Sequence, residues 1–211
     1  MSLSLSIHCV KRDLMNLALF DFDGTITTRE MFRDFLHFSV PSRRLAMGKI
    51  FFAPWLIGYK LGVVSGNTIR AGAVNFGFRG MSEVAVRQTG QKFADEILPG
   101  VIRPIALERI RWHKARGDRI AVVSGALDVY LSHWCDQYQV DLICSELETD
   151  DGVFTGRYHG EQCIGQEKSR RIRAKYNVND FPVLYAYGDT KEDMDMLGMA
   201  HKRYFRWQEM L

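Results

Sequence analysis

Four short apolar runs constrain this chain more than any other feature. They are NLALFDF (16–22), RIAVVSG (119–125), VDLICSEL (140–147) and PVLYAYGD (182–189). Runs of this length with little alternation suit strands buried on both faces, as in a parallel sheet. Helix-like segments at 103–116, 127–138 and 167–176 are interspersed with them. The expected fold class is therefore α/β, a Rossmann-like doubly wound parallel sheet. ELETDDGVFTGRY has the form of a β-hairpin turning at Asp151-Gly152.

The interval between the first two runs is far too long for one crossover, and it holds helix-like stretches such as 30–38 and 82–98. It is expected to be an inserted helical cap after the first strand. The resulting division is a core of 1–28 and 99–211 with a cap of 29–98.

In open α/β sheets, ligands bind beyond the carboxyl ends of the strands. Three of the four runs end there in polar residues: Asp21 and Asp23, Ser124, and Asp189. Asp193 follows in the first turn of the next helix. Two carboxylates so close together repel each other and resist desolvation, so they need a compensating cation. A cluster of hard oxygen donors suits Mg²⁺, which takes few carboxylates and keeps room for waters and a phosphate. A carboxylate in such a place can attack phosphorus, and a neighbouring one can move the proton of the leaving oxygen. Ser124 and the N–H of Gly125, where the second strand is expected to open into a helix, make a cradle for phosphoryl oxygens. Lys168 would supply a fixed positive charge for the transferring group.

DFDGT, VVSG, Lys168 in GQEKS, and GDTKED occur in the order of the four motifs of the haloacid-dehalogenase superfamily of phosphohydrolases, which this chain resembles from Asn16 onward. The insertion resembles the helical cap of the phosphoserine-phosphatase-like branch. The resemblance implies an Mg²⁺-dependent phosphomonoesterase acting through an aspartyl-phosphate on a small-molecule phosphate ester. Asp21 would be nucleophile and Asp23 general acid/base. Mg²⁺ would be held by the Asp21 carboxylate, the Asp23 carbonyl and Asp189. Ser124, Gly125 and Lys168 would bind the phosphoryl group, with Asp193 in support.

Glu30 has two readings. Thr27-x-x-Glu30 has capping-box spacing, and the resemblance implies a glutamate here that binds a substrate amino group. Those relatives also use a cap arginine for the substrate carboxylate; Arg70 and Arg79 lie near, and the sequence does not choose between them. Their motif-four asparagine is replaced here by Glu192. FDFDGTITTREMF, the apolar stretch of the insertion and CIGQEKS also resemble bacterial phosphatidylglycerophosphate phosphatases of the same superfamily, which implies a lipid phosphate phosphatase as the alternative activity. A phosphate-binding or regulatory module that has lost turnover is the alternative of a different class.

The formal net charge of +3 and the lack of a long Lys/Arg block argue against a nucleic-acid partner. Cys9, Cys135, Cys144 and Cys163 form no CxxC pair and read as reduced thiols of a cytoplasmic protein. The N-terminal MSLSLSIHCVKRD lacks the order of a signal peptide. Oligomeric state is not legible. The apolar stretch 45–64 is interrupted by Lys49, Pro54 and Lys60, read as helix ends in a compact cap. Its aromatic residues are expected to pack inward, leaving membrane contact the less favoured outcome.

Overall fold

The computed structural model describes residues 15–210. The expectations for Cys9 and for the N-terminal segment fall outside them. A central sheet of six strands runs in the order β3-β2-β1-β6-β7-β8. β1 (Leu17–Phe20), β2 (Arg119–Leu127), β3 (Asp141–Ser145), β6 (Leu184–Gly188) and β7 (Lys202–Phe205) are parallel, and β8 (Gln208–Met210) closes the edge antiparallel to β7. β4 (Leu147–Asp150) and β5 (Val153–Tyr158) form a separate hairpin turning at Asp151-Gly152.

The apolar runs become buried strands because both faces of the sheet are covered. Along β1, Ala18 and Phe20 enter one apolar cluster while Leu17 and Leu19 enter the other. β2 and β6 divide the same way, with Val122 and Tyr187 on the first side and Val123 and Ala186 on the second. This period of two is the strand geometry itself. α5 (Pro104–Ala115) and α6 (Asp128–Gln137) add Ile110 and Trp134 to the first cluster. α7 (Gln166–Lys175) and α8 (Met194–Gly198) add Ile172 and Leu197 to the second. The sheet is thus doubly wound.

β1 pairs with β2 on one side and β6 on the other, so the strand order reverses between β1 and β6. Such a switch point opens a crevice at the carboxyl ends. The chain leaves β1 there through a tight five-residue turn, Phe22–Ile26.

Between β1 and α5 lie the four helices of the insertion: α1 (Phe32–Ser39), α2 (Ser42–Lys60), α3 (Gly66–Phe78) and α4 (Glu83–Glu96). Phe35, Phe78 and Phe93, from α1, α3 and α4, join the first apolar cluster. α2 is different, for its large apolar side chains are exposed or half-buried. The expected inward packing is overturned: Phe51, Trp55, Leu56 and Ile57 are exposed, and the core against the sheet is closed by the phenylalanines of α1, α3 and α4 instead. Pro54 does not end a helix either; α2 runs through it. A proline there leaves a carbonyl one turn back without its N–H donor, a loss that solvent can make good on an exposed helix.

The last two sheet strands have no counterpart in the apolar-run analysis. They are short and only partly buried, and their turn places Arg206 and Trp207, rather than Gly or Asn, at positive φ.

Candidate active site

Asp21 stands at the end of β1, its N–H donating to the Tyr187 carbonyl of β6 at 2.9 Å. The hydrogen bond places it at the switch point, beside the strand that ends next to Asp189. Between them passes Gly24, whose φ is +85°. A Cβ on Gly24 would lie 2.3 Å from an Asp189 carboxylate oxygen, so only glycine lets the turn pass this close. The Thr25 hydroxyl donates to the other Asp189 oxygen at 3.2 Å.

Lys168, from the first turn of α7, reaches beneath this pair. Its Nζ donates to Asp21 Oδ1 and to Asp193 Oδ1, each at 2.6 Å, and all three side chains are almost fully buried. Asp193 Oδ2 accepts from the backbone N–H of Asp189 (3.1 Å) and of Thr190 (3.0 Å), and from the Thr190 hydroxyl. Thr190 and Asp193 form the capping box that their spacing suggests. Asp193 is therefore both a helix cap and the anchor that aims Lys168.

Burial alone would lower the Lys168 pKa, but Asp21 and Asp193 more than offset it and keep the ammonium protonated. Burial pushes Asp21 up to about 8 against the opposing pull of Lys168. Asp23 is pushed up to about 7, again by burial, with the Met31 N–H and Arg70 pulling it down. Burial and the charge of Asp193 raise Asp189. One lysine thus faces several carboxylates; burial, more than their mutual repulsion, raises Asp21, Asp23 and Asp189, while Lys168 and hydrogen bonds hold Asp193 below its usual value.

Asp23 accepts from the Met31 N–H at 3.0 Å. The capping box expected of Thr27 and Glu30 does not form. The Thr27 hydroxyl is used by the Gly24 N–H and the Arg29 carbonyl, and α1 begins only at Phe32. Glu30 instead pairs with Arg70 of α3, which also lies over the Phe32 ring at 5.3 Å. The structure thus separates the two candidate arginines. Arg70 lines the cavity, whereas Arg79 caps the far end of α3 and is exposed.

Asp21, Asp23, Glu30, Ser124, Gly125, Lys168 and Asp189 all border one cavity of about 890 Å³. Asp193 lies beneath it, bonded to Lys168. Ser124 and Gly125 do not open a helix as expected. β2 continues to Leu127 with an irregular register after Ser124, and α6 starts only at Asp128. The Ser124 hydroxyl accepts from the Ala126 N–H at 3.1 Å. Gly125 leaves room for Arg70, whose Nη1 is 3.0 Å from where a Cβ would stand. Arg103 is a residue that sequence reasoning missed. Its Nε donates to the Gly24 and Thr27 carbonyls (3.2 and 3.0 Å) and fixes the turn after β1. No local pattern marks it, because its partners lie 79 and 76 residues away.

Carboxylate oxygens of Asp21, Asp189 and Asp193 lie within 4.8 Å of one another. Asp193 spends both oxygens on hydrogen bonds, so Asp21 and Asp189 have the freer lone pairs. This all-oxygen, charge-surplus set fits a hard divalent cation.

Comparison with known proteins agrees with this architecture. The chain is 30% identical over 192 residues to protein CicA of Caulobacter vibrioides, covering 90% of this chain and 85% of that one. Among solved structures, a Bordetella pertussis Tohama I protein of unknown function aligns with a TM-score of 0.76 at 22% identity, covering 90% of this chain and 89% of that one. A phosphoserine phosphatase solved as a phospho-aspartyl intermediate analogue aligns at 0.63 and 21% identity, covering 90% and 86%. The family model for haloacid dehalogenase-like hydrolases matches residues 18–198, and the chain belongs to that family.

Proposed function

We propose that this protein is an Mg²⁺-dependent phosphomonoesterase that works through an aspartyl-phosphate on Asp21. The observation that carries the reading is the buried Asp21–Lys168–Asp193 array beside Asp189. A lysine held at 2.6 Å from the attacking carboxylate is placed to meet the oxygens of a phosphoryl group arriving at the same atom.

In the first half-reaction the Asp21 carboxylate attacks phosphorus and the ester P–O bond breaks. Asp23 gives its proton to the leaving oxygen, and its pKa of about 7 suits a group that must donate and then accept near neutrality. In the second half, water attacks the phosphoryl group, Asp23 takes the water proton, and inorganic phosphate leaves with Asp21 restored. Asp21, Asp189 and the Asp23 carbonyl would hold Mg²⁺, which would neutralise charge on the phosphoryl oxygens. Lys168 and Ser124 bind the phosphoryl group.

The Glu30–Arg70 pair narrows the leaving group. It joins the turn after β1 to α3 and borders the same cavity as Asp23. A leaving group with an ammonium and a carboxylate matches it pole for pole, Glu30 taking the first and Arg70 the second. The proposed substrate class is thus a small phosphate ester resembling phosphoserine.

Hydrolysis of O-phosphoserine, glycerol phosphate and p-nitrophenyl phosphate, with and without EDTA, tests both levels. Chelation should abolish all three activities. Glu30→Gln should raise KM for O-phosphoserine about tenfold or more and leave the neutral esters nearly unchanged. Equal effects on all three would refute the ammonium role; EDTA-insensitive turnover would refute the Mg²⁺ reading.

A further inference from the structure

α2 is apolar on every side and partnered on almost none. Ile50 is 80% exposed, Ile57 59% and Leu61 73%. Phe51, Phe52 and Trp55 border a hollow of about 990 Å³ between α2, α3 and the hairpin, and Phe51 and Trp55 are exposed as well. An apolar helix of this kind is normally buried in a core or a membrane. Among the described residues, no helix is long and apolar enough to cross a bilayer.

Charge identifies the partner. Residues 35–82 contain six Lys and Arg and no Asp or Glu. Because the whole chain carries only +3, the remainder is net negative. Arg43 and Arg44 stand at the start of α2 and Lys60 at its end, with Arg43 and Lys60 exposed. A second copy of the chain fits poorly, since a two-fold interface would set this basic face against itself. An apolar surface bearing negative charge fits on both counts.

We propose that α2 lies on an anionic phospholipid bilayer, with its apolar side chains in the interfacial layer and its basic residues meeting lipid phosphates. Trp55 and Tyr59 are amphipathic rings suited to that depth. Tyr59 also borders the catalytic cavity, so docking brings the cavity mouth close to the lipid surface. The proposal does not rest on the phosphatase reading.

Full-length protein is co-sedimented, without substrate, with phosphatidylcholine vesicles containing or lacking about a third phosphatidylglycerol. The expected result is binding to the anionic vesicles alone, weakened by salt, with a blue shift in tryptophan emission that is absent from Trp55→Phe. Ile57→Asp/Leu61→Asp should lower the partition coefficient more than tenfold. Arg43→Glu/Lys60→Glu should lower it on the order of fivefold per charge removed. The Ile57 and Leu61 side chains lie outside the catalytic cavity, so turnover of p-nitrophenyl phosphate and the melting temperature should not change. No sedimentation, equal binding to neutral vesicles, or indifference to these variants overturns the proposal. A dimer in sedimentation velocity that Ile57→Asp dissociates overturns it in favour of self-association.

Discussion

The molecule buries two polar clusters against the same sheet, and they are built on opposite terms. The first is Asp21–Lys168–Asp193 with Asp189 beside it, where one ammonium faces a surplus of carboxylates. The second is centred on Asp118, which accepts from Asn16 Nδ2 (2.8 Å), His113 Nδ1 (2.8 Å) and Arg116 Nε (3.1 Å). His113 Nε2 in turn accepts from the Tyr187 hydroxyl at 2.9 Å, which fixes the neutral tautomer with its proton on Nδ1. In the second cluster every group is matched, and the Asp118 carboxyl sits below its usual range. In the first, the carboxyls of Asp21 and Asp189 are pushed up instead. A fold tolerates unmatched buried charge where a ligand completes it, and matched charge where the network only holds structure.

The largest expected effect tests the unmatched cluster. Asp21→Asn should lower kcat by about 10⁴-fold or more, since it removes the nucleophile. Its melting temperature should stay equal or rise, because one repelling carboxylate is gone and Lys168 keeps Asp193. Mass spectrometry of the acid-quenched wild type should find the phosphoryl adduct on Asp21. Substantial turnover in the variant, or an adduct on Asp23, breaks the assignment.

Asp118→Asn should behave in the reverse way. It takes the charged acceptor from the buried His113 and from Asn16 and Arg116, and should cost about 2–4 kcal/mol, a fall of roughly 4–16 °C in melting temperature for a chain of this size. KM and kcat at the permissive temperature should hardly move. A stable variant with impaired kinetics would erase the distinction between the clusters.

Cation binding sharpens the contrast next. Mg²⁺ at a hundred times its dissociation constant should stabilise the protein by about 2.7 kcal/mol. Asp189→Asn should suppress that gain, and Asp118→Asn should keep it. Scanning calorimetry with and without Mg²⁺ decides it, and an identical gain in Asp189→Asn would exclude Asp189 as a ligand.

The smallest effect is on pH. Burial lowers the His113 pKa below 6.5, despite the opposing pull of Asp118. The unfolded chain therefore binds the extra proton first, so the His113 contribution to stability is full above 6.5 and falls as pH drops through that value, opposite in sign to the contribution of the raised Asp21 and Asp23. The slope is at most about 1.4 kcal/mol per pH unit. Asp118, lowered from 3.8, adds its own loss only nearer that value. His113→Gln should flatten the melting profile between neutrality and mild acid; an unchanged profile would place the titration elsewhere.

What the sequence alone determined are features set within a few residues of themselves. The runs around Leu17–Phe20, residues 120–123 and Leu184–Gly188 show no polar alternation, and only a sheet covered on both faces buries such strands. Asp21, Asp23 and Asp189 follow directly at the strand ends, so the fold class and the carboxylate cluster can be read together. The Asp151-Gly152 turn and the Thr190–Asp193 cap are equally local. Tertiary structure decided the rest. Lys168 meets Asp21 across 147 residues of chain, and nothing near Arg70 marks it as the partner of Glu30 40 residues away. The short, half-polar β7 becomes a strand only because the edge of β6 offers it hydrogen bonds, and β8 because β7 then does the same. The exposure of α2 was the hardest to foresee. Apolar composition states how much surface a segment would gain by burial, but whether it is buried depends on neighbours contributed by distant parts of the chain, and here the core is closed by α1, α3 and α4 while α2 borders an open hollow.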